Sequence, residues 1–375
     1  TTITEEGVYI DNFKLVDEGR FREAELRELL LGGPYPVRNP TQNIADLKAQ
    51  IAANEKGVTE LRRMIDTFGL DVVKAYMGHV QDNAAESVRR VLDWLADCSF
   101  ALEMDQGTRI HVAITADKEK REATADFTGT SPQQETNFNA PAPVTRAAVR
   151  YVFRVMVEDE IPMNAGCLRP IILKIPEGSL LSPVYPAAVV AGNVETSQAV
   201  TDCLFDALNA MACAQGTMNN LTFGNDAYQY YETLCSGSPA GHGFDGTDAV
   251  HTHMTNSRLT DPEVLETRFP VLLEDFHIRE GSGGRGRWHA GDGTYRRIRF
   301  LEDMEMALLS SHRRVHPFAL EGGEPGALGE GFVRRKDGAT EALAGCDGKV
   351  LEAGEAVIIV TPTGGGYGDP ALRGR

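Results

Sequence analysis

Apolar residues recur along this chain with two different periods, and the change between them lays out its elements. Ile44, Leu47, Ile51, Val58, Leu61, Ile65 and Phe68 fall three, four or seven apart, one face of a long amphipathic helix. Asn39 is placed to cap its start with Pro40 in the first turn, and Gly69 followed by Leu70 to end it. Asp71 can open a second helix whose apolar face is Val72, Tyr76, Val80, Val88, Val91, Leu92 and Leu95. The two stripes predict a helical hairpin over 40–68 and 71–97, packed on itself with Val80 in the seam. A short helix around Phe21 to Leu30 precedes it.

From Arg109 the period is two: Ile110, Val112 and Ile114 alternate with His111, Ala113 and Thr115, and a second strand runs to Phe127. A helix at Val144 to Val157, a strand at Ile171 to Ile175 and a helix from Ser197 to about Cys213 follow, the last carrying Val200, Leu204, Ala207, Leu208 and Met211. Beyond Phe269 short β runs at Val271–Ile278, Thr294–Phe300, Glu305–Ser310, Phe332–Arg335 and Ala356–Val360 are split by glycine-rich turns. The pattern predicts an α+β protein: an N-terminal α/β region with a long helical hairpin, then a β-rich C-terminal region. The corresponding domain spans are 1–265 and 266–375.

Composition narrows the function. The 375 residues carry 37 Lys and Arg against 54 Asp and Glu, a net charge of −17, which disfavours nucleic acid and anionic membrane as partners. No apolar run approaches the roughly 20 residues of a membrane helix. The six cysteines contain no CxxC pair and read as reduced, mostly buried thiols of a cytoplasmic protein.

Several polar clusters interrupt the periodic segments. Asp126 to Ser131 has turn chemistry, while Asn137 and Asn139 flank Phe138 as amides that can line a pocket. Ile161 to Cys167 reads as a tight bend. Glu232 stands in an apolar and aromatic run, Tyr230 to Thr233, where a buried carboxylate needs a partner unless it works as a base or a ligand. The densest cluster runs from Gly241 to Asn256. Three of nine histidines lie in twelve of its residues, and His251 and His253 project from one face if the segment is a strand. With Asp245 and Asp248 they offer ligands to a divalent metal of unspecified identity, or they are simply hydrogen-bonded histidines. Residues 279–314 hold eight Arg and five acids, a local inversion suited to carboxylate or phosphate recognition or to ion pairs between subunits. The glycine runs at 281–293 and 364–366 lack the strand-then-helix context of a phosphate loop, so no cofactor-binding residue is assigned.

Together, Arg38-Asn39-Pro40, Gln42 to Leu47, Asp126 to Thr130, Ile161 to Asn164, Pro176 to Ser179, Phe244 to Thr247, Met254 to Asn256, Asp261 to Glu266, Gly281 to Gly284 and Gly364 to Pro370 resemble the hydantoinase B/oxoprolinase family, in order along essentially the whole chain. Asp245 to Glu266 is most similar to the C-terminal part of the ATP-dependent 5-oxoprolinase branch; the N-methylhydantoinase and acetone carboxylase branches are its neighbours. The resemblance implies an ATP-dependent amidohydrolase that opens a small cyclic amide. A companion A-type ATPase half, fused or separate, would bind ATP and Mg and phosphorylate the substrate oxygen, and water would open the ring in the half represented here. It further implies a homo-oligomer, and divalent-metal ligands in an upstream stretch that would precede Thr1, leaving this chain inactive alone. The competing expectations are a carboxylase-type subunit and a non-catalytic assembly module. Convergence of carboxylate, imidazole and amide groups makes Glu232, Asp245, His251, His253 and Asn256 the candidate catalytic residues, with Asn137 and Asn139 as substrate-binding candidates.

Overall fold

The protein is described by a computed structural model over residues 2–374. A two-residue ribbon, β1 (Val16–Asp17) and β2 (Arg20–Phe21), precedes α1 (Glu23–Leu31), α2 (Pro40–Phe68) and α3 (Leu70–Trp94). The helix ends follow the capping signals. Asn39 accepts a hydrogen bond from the Gln42 amide at 3.1 Å, and Gly69, at φ 83°, takes a backbone conformation that a side chain would strain.

The expected packing of the hairpin is corrected by the structure. Val80 is 44% exposed, Tyr76 66% and Phe68 61%, so the outer halves of α2 and α3 do not bury their stripes against each other. The inner half of α3 buries its stripe instead in the main core, with Ala84, Val88, Val91 and Leu92. Periodicity identifies residues that share a stripe; it carries no information on what covers it.

That core is built on β3 (Cys98–Glu103), β4 (Arg109–Asp117), β5 (Glu122–Asp126) and β6 (Ile171–Lys174), in the spatial order of the chain. The first three strands are antiparallel, and β6 returns parallel to β5 after a crossover containing α4 (Ala142–Val155). Ile110, Val112 and Ile114 are fully buried on one face of β4, at about 1.5–3 kcal/mol each. They pack with α4 and α5 (Ser197–Ala207).

The expected helix to Cys213 therefore ends at Ala207. After it come β7 (Asn220–Gly224), β8 (Gln229–Thr233), α6 (Pro262–Arg268), β9 (Val271–Ile278), β10 (Thr294–Phe300), β11 (Met304–Leu309), β12 (Glu330–Arg334), β13 (Thr340–Ala342), β14 (Cys346–Leu351) and β15 (Ala356–Val360). They form two antiparallel sheets, ordered β14-β11-β7-β8 and β13-β12-β15-β10-β9, around one shared core that includes Leu221, Phe223, Ile298, Phe300, Met306 and Ile359. The first sheet takes β7 and β8 from before residue 265 and β11 and β14 from after it. The spans 1–265 and 266–375 are thus joined through a sheet.

Candidate functional site

α5 is entered through a π turn, Gly192–Thr196, a local irregularity often found where a helix serves a function. Gly192 is required there, because a Cβ would come within 2.1 Å of the Asn139 carbonyl oxygen. Every residue from Ser197 to Ala207 is buried. A helix buried all round is normally apolar all round. This one carries Glu195, Gln198, Asp202 and Asp206 at spacings of three, four and four, a polar stripe inside the protein.

The stripe organises the segments packed on it. Gln198 donates to the Thr252 carbonyl (3.2 Å) and to Thr255 Oγ1 (2.7 Å), and its amide oxygen faces the Met254 N–H at 3.5 Å. It thereby clasps the loop around His253, whose φ of 53° is left-handed and uncommon for a residue with a Cβ. The His253 ring lies between two polar groups. Nε2 is 3.4 Å from Asp202 Oδ1, and Nδ1 is 3.3 Å from the hydroxyl of Tyr151 on α4. Phe205 and Tyr151 flank the ring, with centroids 5.1 and 5.8 Å away. Asp202 Oδ1 also accepts from the Ala214 amide at 3.0 Å.

On the other side stands His312. Its Nδ1 faces the Val315 carbonyl at 2.7 Å, so Nδ1 carries the proton and Nε2 is left as an acceptor, 3.8 Å from Cys213 Sγ. Burial keeps this imidazole neutral by lowering its pKa. Gly216 makes room for it: a Cβ there would sit 2.2 Å from His312 Nε2 and 3.3 Å from Asp202 Oδ2. At the start of the stripe, Glu195 Oε1 accepts from Thr217, the Met218 amide and Asn220 at 2.8, 3.1 and 2.7 Å.

Other polar atoms here have no partner among the described residues. They include Glu195 Oε2, Asp202 Oδ2, both oxygens of Asp206, and both ring nitrogens of His251. Burial pushes the carboxyls of Glu195 and Asp206 up to about 7, with the neighbouring Asp202 adding to the rise at Asp206. Buried polar atoms are almost always paired, and groups that titrate near neutrality are suited to proton transfer. Convergence of both features on α5 marks it as the candidate site.

The seven expected site residues divide. His251 and His253 lie on the loop held by α5. Glu232 does not join them: both its oxygens accept from Arg296 on β10, at 2.9 and 3.1 Å, and Tyr230 donates to Oε2 at 2.8 Å. Asp245 accepts from Arg373 and from the His289 amide, pinning the glycine-rich loop of the β region. Asp248 accepts from the Asp292 amide at 2.7 Å, so it and Asp245 are not gathered with the two histidines as a ligand set. Asn139 is fully buried and saturated by Gln134, Thr136 and Ala188, and Asn137 offers its carbonyl to the Ala191 amide. Asn256 is exposed. A cleft of about 1240 Å³ between the segment 5–8, the start of α2 and the β7–β8 hairpin is lined by none of the seven.

The arginine-rich segment is also explained within the chain. Arg297 and Arg299 pair with Glu274, Arg279 donates to the Thr361 carbonyl, and Arg313 is bonded to Val360, Asn219 and Ser310. The residues that sequence reasoning passed over are Tyr151, Glu195, Gln198, Asp202, Asp206 and His312. The signal was present as the 195–198–202–206 spacing, but a polar stripe opposite Val200 and Leu204 reads as an ordinary solvated helix face.

A family profile described as hydantoinase B/oxoprolinase matches residues 1–370. The chain belongs to that family. It is 45% identical to 5-oxoprolinase 1 of Arabidopsis thaliana over 98% of its own length and 31% of that protein's. It is 43% identical to the 5-oxoprolinase of Dictyostelium discoideum over 98% of its length and 29% of the relative. It thus spans about a third of the length of these curated relatives. The crystal structure of an ATP-dependent caprolactamase from Pseudomonas jessenii superposes with a TM-score of 0.83 at 25% identity, covering 98% of this chain and 68% of that one.

The family resemblance raised the question of a divalent metal. Among the described residues, no group of three or more His, Cys, Asp or Glu side chains is arranged to hold one. The described residues do not fit a metal centre. No helix among the described residues is long and apolar enough to cross a membrane.

Proposed function

We propose that this chain is part of the hydrolytic half of an ATP-dependent cyclic-amide hydrolase that opens 5-oxoproline to glutamate, working with an A-type ATPase half that binds ATP and Mg. The observation that carries this reading is the 45% identity to a 5-oxoprolinase across nearly the whole chain. The chemistry is consistent with it. A lactam carbon is a poor electrophile, and transfer of a phosphoryl group from ATP to the lactam oxygen makes it a good one. Water then adds to that carbon, the C–N bond breaks, and the ring nitrogen leaves as the amine. The remaining acyl phosphate is hydrolysed by a second water to carboxylate and phosphate.

What this half contributes is an environment for moving the protons of those steps. Among the expected residues, His251 and His253 serve that role in this reading, because they lie on the loop that Gln198 of the α5 stripe holds. Glu232, Asp245 and Asn139, whose polar atoms are taken by internal partners, hold the scaffold. The test is to assemble the whole protein with its ATPase half and follow ADP and glutamate together. ATP hydrolysis that depends on 5-oxoproline and yields glutamate is expected; its absence in the intact assembly rejects the substrate and the reading.

A further inference from the structure

We infer that Tyr151, His253 and Asp202 form a proton-relay triad, with Gln198 as the residue that positions it. The inference rests on the hydrolytic reading above and deepens it by naming the groups that exchange protons with water and with the ring nitrogen. Three independent elements meet at one imidazole: Tyr151 from α4, Asp202 from α5, and His253 from the loop after residue 250. Asp202 Oδ1 lies 3.4 Å from Nε2, and the Tyr151 hydroxyl lies 3.3 Å from Nδ1. The Asp202 carboxylate stands within ion-pair range of Nε2, placed to stabilise the ring once it is protonated, and Nδ1 faces the phenol. Hydroxyl, imidazole and carboxylate thus stand in the order that makes a hydroxyl proton transferable.

The burial gradient agrees with a relay running inward. Tyr151 is partly exposed as a residue, the His253 side chain is 5% exposed, and that of Asp202 is fully buried. Burial and the charge of Asp202 raise the Tyr151 pKa, so its hydroxyl is held protonated and acts as a donor to Nδ1. The left-handed backbone at His253 would relax without support. Gln198, itself 1% exposed, supplies that support through the loop on either side, with contacts to Thr252, Met254 and Thr255.

In the forward step, water adds to the activated ring carbon and gives a proton to the phenol oxygen as the phenol passes its own to Nδ1. The resulting imidazolium is stabilised by Asp202. As the C–N bond breaks, the proton returns along the same path to the ring nitrogen, leaving the triad as it began. No oxidant, reductant or further reactant is needed.

The test uses the whole enzyme with its ATPase half, reading ADP and glutamate separately. Tyr151→Phe removes one oxygen atom and is expected to lower glutamate formation by about a hundredfold or more, in the range of lost acid–base catalysis, with KM nearly unchanged. His253→Ala is expected to lose activity that added imidazole partly restores, a response a purely structural role would not give. Gln198→Leu, which removes both hydrogen bonds donated to the loop, is expected to lower kcat and shift the pH profile. Full turnover in Tyr151→Phe, or loss in His253→Ala that imidazole leaves untouched, overturns the triad. If the unmodified enzyme makes no glutamate from 5-oxoproline, it is the substrate reading that fails instead.

Discussion

Two buried polar groups on different elements show how differently a protein can handle the same problem. Glu232 on β8 meets Arg296 on β10 with both oxygens engaged, a third hydrogen bond from Tyr230, and side chains only 1% and 2% exposed. Asp206 on α5 is nearly as buried and has no partner for either oxygen among the described residues. The first arrangement compensates the loss of water at every lone pair it can, and it ties one sheet to the other. The second leaves the cost standing, and the group responds by holding its proton to near neutral pH. Saturation suits a structural role, whereas an under-saturated carboxyl that titrates near neutrality has the chemistry of a group that can exchange a proton. A carboxylate alone in an apolar run, the signal that first singled out Glu232, does not distinguish the two.

The comparison can be broken most decisively at the ion pair. Arg296→Met should destabilise the fold by about 3–5 kcal/mol in chemical denaturation, because it strands the Glu232 charge in the core. The double change Glu232→Leu with Arg296→Met should recover most of that loss. A mild effect of the single change would show that the pair is not the strut described here.

A smaller effect, but a sharper one, concerns pH. The folded-state pKa of Asp206 is raised to about 7, so between the usual carboxyl value and that point the folded chain binds more protons than the unfolded one. Stability contributed by this group is therefore present at low pH and is lost as pH rises from about 4 to about 7. Asp206→Asn should flatten that part of the profile of Tm against pH, leaving the slope due to Glu195, which is raised in the same way. An unchanged profile would contradict the assignment of Asp206 as the under-saturated group.

The smallest expected effect is at the helical hairpin. Val80→Asp should change stability by no more than about 0.5 kcal/mol, as at other exposed sites, because Val80 is 44% exposed. Val88→Asp, about two turns further along the same helix and fully buried, should cost several times more. Equal losses at the two positions would mean that the outer stripe is covered after all.

The sequence by itself determined the elements whose signals are local. The period of three and four from Ile44 placed α2, Asn39 and Gly69 bounded it, the alternation at Ile110, Val112 and Ile114 placed β4, and the ordered motifs identified the family. Each rests on residues close in sequence acting through backbone geometry, which a single chain reading captures. Tertiary structure alone decided what lies against each face. Arg296 stands 64 residues from the glutamate it neutralises. The polar side of α5 looks solvated in sequence and is enclosed by α4, the 251–255 loop and the segment around Gly216. The apolar tip of the hairpin looks like core and is not. Burial is a property of the neighbours a segment acquires on folding, and charge partners, orphaned oxygens and shifted protonation all follow from burial, so none of them could be read before the neighbours were known.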